Sequence, residues 1–248
     1  MKTEILGVLI DAVTKRQALE RLLEFLEGDK NRLLFTPNPE FVLEAQKDRE
    51  FMEILNKGDL VVPDGIGIVI ASRITGANIK SRVTGCDLIL SLFGEIKNTG
   101  HTVYLFGGKP GVAELAKANM ENKYPGLKIA GFSDGYYDKQ RERAVIREIQ
   151  ELKPDVLLVF NNFPKQEKWI YHNRNRLPVK ITAGLGGSVD VMAGTLKRAP
   201  VAFRKVGLEW LWRLIRQPNR IKRMYKLPLF LIKAISAGFQ GYANVTKP

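Results

Sequence analysis

The chain is 248 residues long and 45% hydrophobic, which suffices for a sizeable core, and its 39 Lys and Arg against 26 Asp and Glu leave a net charge of +13. Its one cysteine, Cys86, excludes an intrachain disulfide and fits a reducing compartment. The opening MKTEILGVLIDAVTK is too acid-flanked for a secretory signal, and the best apolar block, LPLFLI at 227–232, stops at Lys233, short of the roughly 18 residues of a spanning helix, so the expectation is a soluble or peripheral protein.

From the start to about residue 195, short β-rich runs alternate with helical ones. The strand candidates are EILGVLI (4–10), RLLFT (32–36), DLVV (59–62), TVYLFG (102–107), LKIAGF (127–132), DVLLVF (155–160) and VKITA (179–183). Thr14 with Gln17 makes a capping box, and Asn38 before Pro39 reads as an N-cap followed by proline at the first helical position. This alternation predicts an α/β, Rossmann-like fold with a mainly parallel sheet flanked by helices, and ligands in such sheets lie beyond the carboxyl ends of the strands. The remaining segment, 196–248, predicts a helical appendage of two or three helices broken near Pro218 and Pro228. It holds twelve Lys and Arg and one acid, Glu209, hence a net +11, whereas 1–195 is close to neutral. A cationic end on a near-neutral body calls for an anionic partner.

Several strand ends carry polar groups suited to chemistry. In FTPNPEF, Thr36 and Asn38 offer a hydroxyl and an amide for a sugar or phosphate, while Asn38 serves equally as a plain cap. In VVPDGIG, Asp64 is either a turn residue or a carboxylate at the mouth of the sheet, equipped as a general base. The two histidines, His101 and His172, fit no triad or metal spacing and read as structural or surface residues. VYLFGGKPG places Gly107 and Gly108 where backbone can approach a diphosphate, but its G-G-x-x-G spacing is not the dinucleotide G-x-G-x-x-G, and a tight turn explains it as well. TAGLGGSVD repeats the ambiguity with Gly186, and Asp190 is placed to accept hydrogen bonds from a ribose or base. In NNFPKQEKW, Gln166 is both donor and acceptor, and Lys165 and Lys168 can meet phosphate or simply start a solvated helix.

The sequence contains no Asp-x-Asp, so a departing nucleotide diphosphate would be met by cationic side chains and not by the usual carboxylate-held metal. Arg213, Arg216, Arg220 and Arg223 share one helix face if Pro218 only kinks the helix, although a solvated basic face touching lipid explains the same spacing. Trp210, Trp212, Tyr225, Phe230 and Phe239 interleave with the charge as in interfacial segments, and the aliphatic LPLFLI fits lipid better than nucleic acid.

TPNPEF, PDGIG, RVTGCDL, PKQEKW and AGTLKRAP, followed by GLEWLWRL and QPNR, resemble in this order the motifs of the TagA-like glycosyltransferases, glycosyltransferase family 26. The resemblance runs from about residue 5 to 225. It implies inverting, metal-independent transfer of N-acetylmannosamine from its UDP donor to N-acetylglucosaminyl-diphospho-undecaprenol, at the cytoplasmic face of the membrane. Asp64 is then the base, with Thr36, Asn38, Arg82 and Gln166 positioning substrate, and Arg213, Arg220 and Arg223 close over the donor diphosphate. No cofactor is expected; the expected partners are the UDP-sugar, the lipid-linked acceptor and an anionic membrane surface, not nucleic acid, and a homo-oligomer is left open. Another UDP-sugar as donor also fits the resemblance. A nucleotide-dependent oxidoreductase and a basic binding module are the rivals from other classes. This chain departs from the family in carrying Asn161-Asn162 where Leu-Gly is common, and Val189 before Asp190.

Overall fold

The computed structural model describes residues 2–200, 202–203, 207–216 and 225–245, without the side chains of 213, 216 and 239–245. Its first element is a hairpin, not a strand of the main sheet. EILGVLI, expected as one strand, is cut in the middle: β1 (Lys2–Ile5) and β2 (Val8–Asp11) pair antiparallel, with Ile5 opposite Val8. Leu6 and Gly7 between them have φ of 50° and 87°, the two-residue turn whose twist matches that of hairpin strands. Asp11 is 1% exposed and accepts hydrogen bonds from the Val61 backbone N–H and from Arg21, each at 2.9 Å, so the hairpin is bonded to the edge of the main sheet.

Strands and helices then alternate. α1 (Lys15–Leu26) starts at the expected Thr14–Gln17 capping box. It is followed by β3 (Arg32–Phe35), α2 (Pro39–Ala45), α3 (Arg49–Asn56), β4 (Leu60–Val61), α4 (Ile66–Ile74) and α5 (Gly85–Ile96). After these come β5 (Thr102–Gly107), α6 (Val112–Lys123), β6 (Lys128–Ser133), α7 (Lys139–Leu152), β7 (Val156–Phe160), α8 (Lys165–Asn173), β8 (Ile181–Gly184) and α9 (Ser188–Met192). Strands β3 to β8 form one parallel sheet in the order β4-β3-β8-β7-β5-β6. The expected α/β fold is present, and the carboxyl ends of these strands open on one edge.

Period-two alternation divides the core. Leu33 and Phe35, Tyr104 and Phe106, and Leu157 and Val159 point to one face, covered by the hairpin and α2, α3, α4, α7 and α8. Leu34, Val103, Leu105, Val156, Leu158 and Phe160 point to the other, covered by α1, α5, α6 and α9. Burial on both faces is what parallel strands require, and it confines polar chemistry to the edge.

Among the described residues two longer helices follow: α10 (Glu209–Arg216) and α11 (Lys226–Val245). The expected break near Pro228 falls at a helix start, Lys226, two residues before it. Pro228 is the third residue of α11, within the first turn where an N–H has no intrahelical partner, so it is compatible with the helix start. The break near Pro218 lies outside the described residues. α11 packs on α2 and α4, and its Phe230 and Ala234 are fully buried in the first core. Gly67 permits the approach: a Cβ there would fall 2.6 Å from Pro39 Cγ and 2.7 Å from Leu227 Cδ1. The outward side exposes Leu229, Ile232 and Ile235. No helix among the described residues is long and apolar enough to cross a membrane. Phe230→Ala should lower unfolding free energy by about 3 kcal/mol, read as a fall in the urea midpoint.

Candidate active site

The loops after β3 and β4 are stitched together by backbone. Val62 N–H donates to Phe35 O at 2.9 Å, and Asp64 N–H donates to Pro37 O at 3.1 Å. This brings the two sequence-predicted groups of these loops side by side: the α-carbon of Gly65, next to Asp64, is so close to TPNPEF that a Cβ on it would contact Asn38 Cβ at 3.8 Å. Gly65, at φ 95°, turns the chain into α4 and leaves Asp64 half-buried at the helix mouth. Asn38 is the cap the sequence predicts, its Oδ1 accepting from the N–H groups of Glu40 at 2.8 Å and Phe41 at 3.3 Å. Thr36 is buried, donates to Gly184 O at 3.4 Å, and packs its methyl where a Cβ on Gly85 would be 2.7 Å away. Thr36 thereby joins the ends of β3 and β8 to the start of α5.

The RVTGCDL motif is anchored next to this pair. Val83 N–H donates to Pro63 O at 2.9 Å, beside Asp64. Thr84 caps α5, and its hydroxyl donates to Asp87 at 2.7 Å. Asp87 then grips Arg198 of AGTLKRAP with two hydrogen bonds, at 2.5 and 3.0 Å, which hold that guanidinium even more firmly charged than usual. Arg82 meets Glu209, the lone acid of the cationic segment, at 3.4 Å. Motifs that are about 110 and 127 residues apart in sequence therefore meet through two ion pairs. Sequence reasoning missed Asp87, Arg198 and Glu209. The Thr84-x-x-Asp87 spacing and the isolation of one acid among so many bases were the available signals.

At the neighbouring strand ends, glycine is required by proximity. A Cβ on Gly107, at φ 127°, would lie 2.5 Å from Phe160 O. Gly108 N–H donates to that same carbonyl at 3.0 Å, so this amide is engaged within the fold. Gln166 is 1% exposed, and its Oε1 accepts from the N–H of Asn161 at 3.0 Å and of Gly186 at 2.9 Å, tying the loop after β7 to the loop after β8. Glu167 beside it is equally buried, and burial pushes its carboxyl up to about 7. Lys165 is exposed at the start of α8. Asp190 lies half-buried in α9, within 3.4 Å of the Thr195 hydroxyl.

Thr36, Asn38, Asp64 and Arg82 thus belong to one group of loops, and Gly107, Gly108, Gln166 and Gly186 to the adjoining loops of β5, β7 and β8. The side chain of Arg213 and all of Arg220 and Arg223 lie outside the described residues. His101 pairs with Asp155, and His172 with Glu50, away from these loops. Among the described residues no group of three or more His, Cys, Asp and Glu is placed to hold a metal ion.

The model of the glycosyl transferase WecG/TagA/CpsF family matches residues 3–244. The chain belongs to this family. A Bacillus subtilis (strain 168) relative named N-acetylglucosaminyldiphosphoundecaprenol N-acetyl-beta-D-mannosaminyltransferase is 37% identical over 211 residues, covering 85% of this chain and 82% of the relative. A protein of the same name from Staphylococcus aureus (strain MRSA252) is 35% identical over 239 residues, covering 95% and 93%. As a WecG/TagA/CpsF glycosyl transferase, the chain is an enzyme that transfers sugar.

The Asp87–Arg198 clamp has a measurable consequence. Arg198→Ala should destabilise the enzyme by about 2 kcal/mol, and a double-mutant cycle with Asp87→Ala should return a coupling of about 1–3 kcal/mol in chemical denaturation.

Proposed function

We propose that the enzyme transfers N-acetylmannosamine from UDP-N-acetylmannosamine to the C4 hydroxyl of N-acetylglucosaminyl-diphospho-undecaprenol, with inversion at the anomeric carbon and without a metal. The observation that carries this reading is the placement of Asp64 beside Asn38 at the carboxyl edge of the sheet, in a chain whose relatives bear that transferase name. Asp64 takes the proton of the acceptor hydroxyl as its oxygen attacks the anomeric carbon, and UDP departs with the bonding electrons. Thr36, Asn38 and Arg82 orient the reacting sugars, and Gln166 shapes the loops that receive the donor. Gly107, Gly108 and Gly186 leave room for the nucleotide diphosphate, Asp190 accepts from ribose or base, and Lys165 adds positive charge. Arg213, Arg220 and Arg223 meet the diphosphate charge, a task that falls to cations in a sequence without Asp-x-Asp.

The basic segment from 196 onward is proposed as the membrane-docking appendage, at the cytoplasmic face. Support comes from the exposed Leu229, Ile232 and Ile235 on α11 together with Tyr225, within a segment of net +11. Each basic group near an anionic leaflet contributes about 1 kcal/mol, so charge and apolar insertion together suffice for attachment.

Asp64→Asn should cut turnover by about 10² to 10⁴ with the fold intact by circular dichroism, measured as UDP release with the lipid-linked acceptor; near-normal turnover would remove Asp64 from the mechanism. Running that assay with several UDP-sugars identifies the donor. Ile232→Glu should weaken co-sedimentation with anionic vesicles by about tenfold, and raising salt should weaken the unaltered enzyme's binding as well.

A further inference from the structure

Glu167 takes no part in the steps above, yet its position is unusual. It is 1% exposed, and among the described residues its Oε2 has no hydrogen-bond partner. Its Oε1 accepts from Gln166 Nε2 at 2.6 Å. Gln166 Oε1 in turn holds the N–H groups of Asn161 and Gly186, so one continuous chain of hydrogen bonds runs from Glu167 to the loops after β7 and β8. Gly184 leaves space for the pair, since a Cβ there would lie 2.5 Å from Gln166 Nε2 and 3.0 Å from Glu167 Oε1. The carbonyl of this same Gly184 receives the Thr36 hydroxyl.

We propose that Glu167 is a positioning residue for sugar transfer, fixing through Gln166 the loops that receive the UDP-sugar. The proposal rests on those loops holding the donor. Fixing Gln166 matters because an amide side chain can rotate by half a turn, and only one orientation presents oxygen to the two N–H groups. An acceptor on the Nε2 side selects that orientation.

Burial favours the uncharged form of Glu167, against the Gln166 hydrogen bond, which favours the carboxylate. The elements packed against α8 include α3, β3, β7 and β8, with α7, whose Glu142 accepts from Trp169 Nε1, and β5, whose Phe106 lies on the Trp169 ring; among the described residues no cation from them is a cause of the Glu167 shift. β7 and β8 hold no titratable residue, and Arg32 of β3 bonds Asp59 at the opposite end of the sheet. On α3 and α8, Arg49 pairs with Glu53, and Lys168 and His172 pair with Glu50, all in the surface layer. With burial raising the carboxyl from 4.5 to about 7, the folded protein keeps a proton that the unfolded chain releases. Stability therefore declines as pH rises from 4.5 toward 7, and above about 7 an uncompensated charge forms beneath the loops.

The test uses the full chain, with UDP release followed from about pH 5.5 to 8.5 and hydrogen exchange at the Asn161 and Gly186 amides. Glu167→Gln keeps an acceptor for Gln166 and cannot ionise. It should hold kcat within about threefold of the unaltered enzyme at pH 6 and lose the decline in rate that the unaltered enzyme shows above about pH 7. Glu167→Leu removes the acceptor and should raise KM for the UDP-sugar and speed exchange at both amides by about tenfold or more. An alkaline limb identical in Glu167→Gln and the unaltered enzyme would overturn the proposal, as would full protection of both amides in Glu167→Leu. Should Glu167→Leu fail to fold, exchange at the same two amides in Glu167→Met, which also withdraws the carboxyl acceptor from Gln166, decides. If the unaltered chain moves no sugar at any pH, the donor reading falls, and amide exchange still decides whether Glu167 governs the loops.

Discussion

A parallel sheet buried on both faces leaves polar side chains one place to gather, the edge where its strands end. Here that edge is drawn together by backbone contacts closer than side chains would permit. Gly107 lies against the Phe160 carbonyl, Gly85 against Thr36, and Gly184 against Gln166. The first contact joins the end of β5 to that of β7, and the other two seat the start of α5 against the end of β3 and the start of α8 against the end of β8. Asp64 and Asn38 are neighbours because β3 and β4 are, and Gln166 reaches Gly186 because β7 lies next to β8. The candidate site is a consequence of strand order.

The cationic segment is attached to this edge by ion pairs of opposite sense, one through its cation Arg198 and one through its acid Glu209. Asp87 binds Arg198, and Arg82 binds Glu209. α11 then buries Phe230 and Ala234 against the helices that begin at Asn38 and Gly65, with Leu227 at the Gly67 and Pro39 contact. A force on α11 is therefore delivered to α2 and α4, whose first residues adjoin the proposed base. This contiguity gives the proposed docking segment a physical route to the chemistry, because packed helices shift as bodies and do not deform continuously.

Local signals were legible where a short-range rule governs. The Thr14–Gln17 capping box, the Asn38 cap and the β-rich runs of the sheet follow from hydrogen-bonding and steric preferences acting over a few residues. EILGVLI misled because its apolar pattern continues through Leu6-Gly7, and only the left-handed backbone there reveals a turn. Pro228 marked the neighbourhood of a helix boundary, because proline suits a helix start, although composition cannot tell which end of a helix it occupies.

The amino-acid sequence by itself determined the α/β class, the strand-end positions of Thr36, Asn38, Asp64 and Gln166, and the concentration of positive charge after residue 195. Those properties are carried by residue type and spacing along the chain. Only the tertiary structure decided which strand ends are adjacent, that Asp87 meets Arg198 and Arg82 meets Glu209, and that Glu167 is buried with Gln166 as its hydrogen-bond partner. These depend on distances between segments separated by as many as 148 residues, and on the loss of water around a carboxyl that in the extended chain would be an ordinary solvated acid.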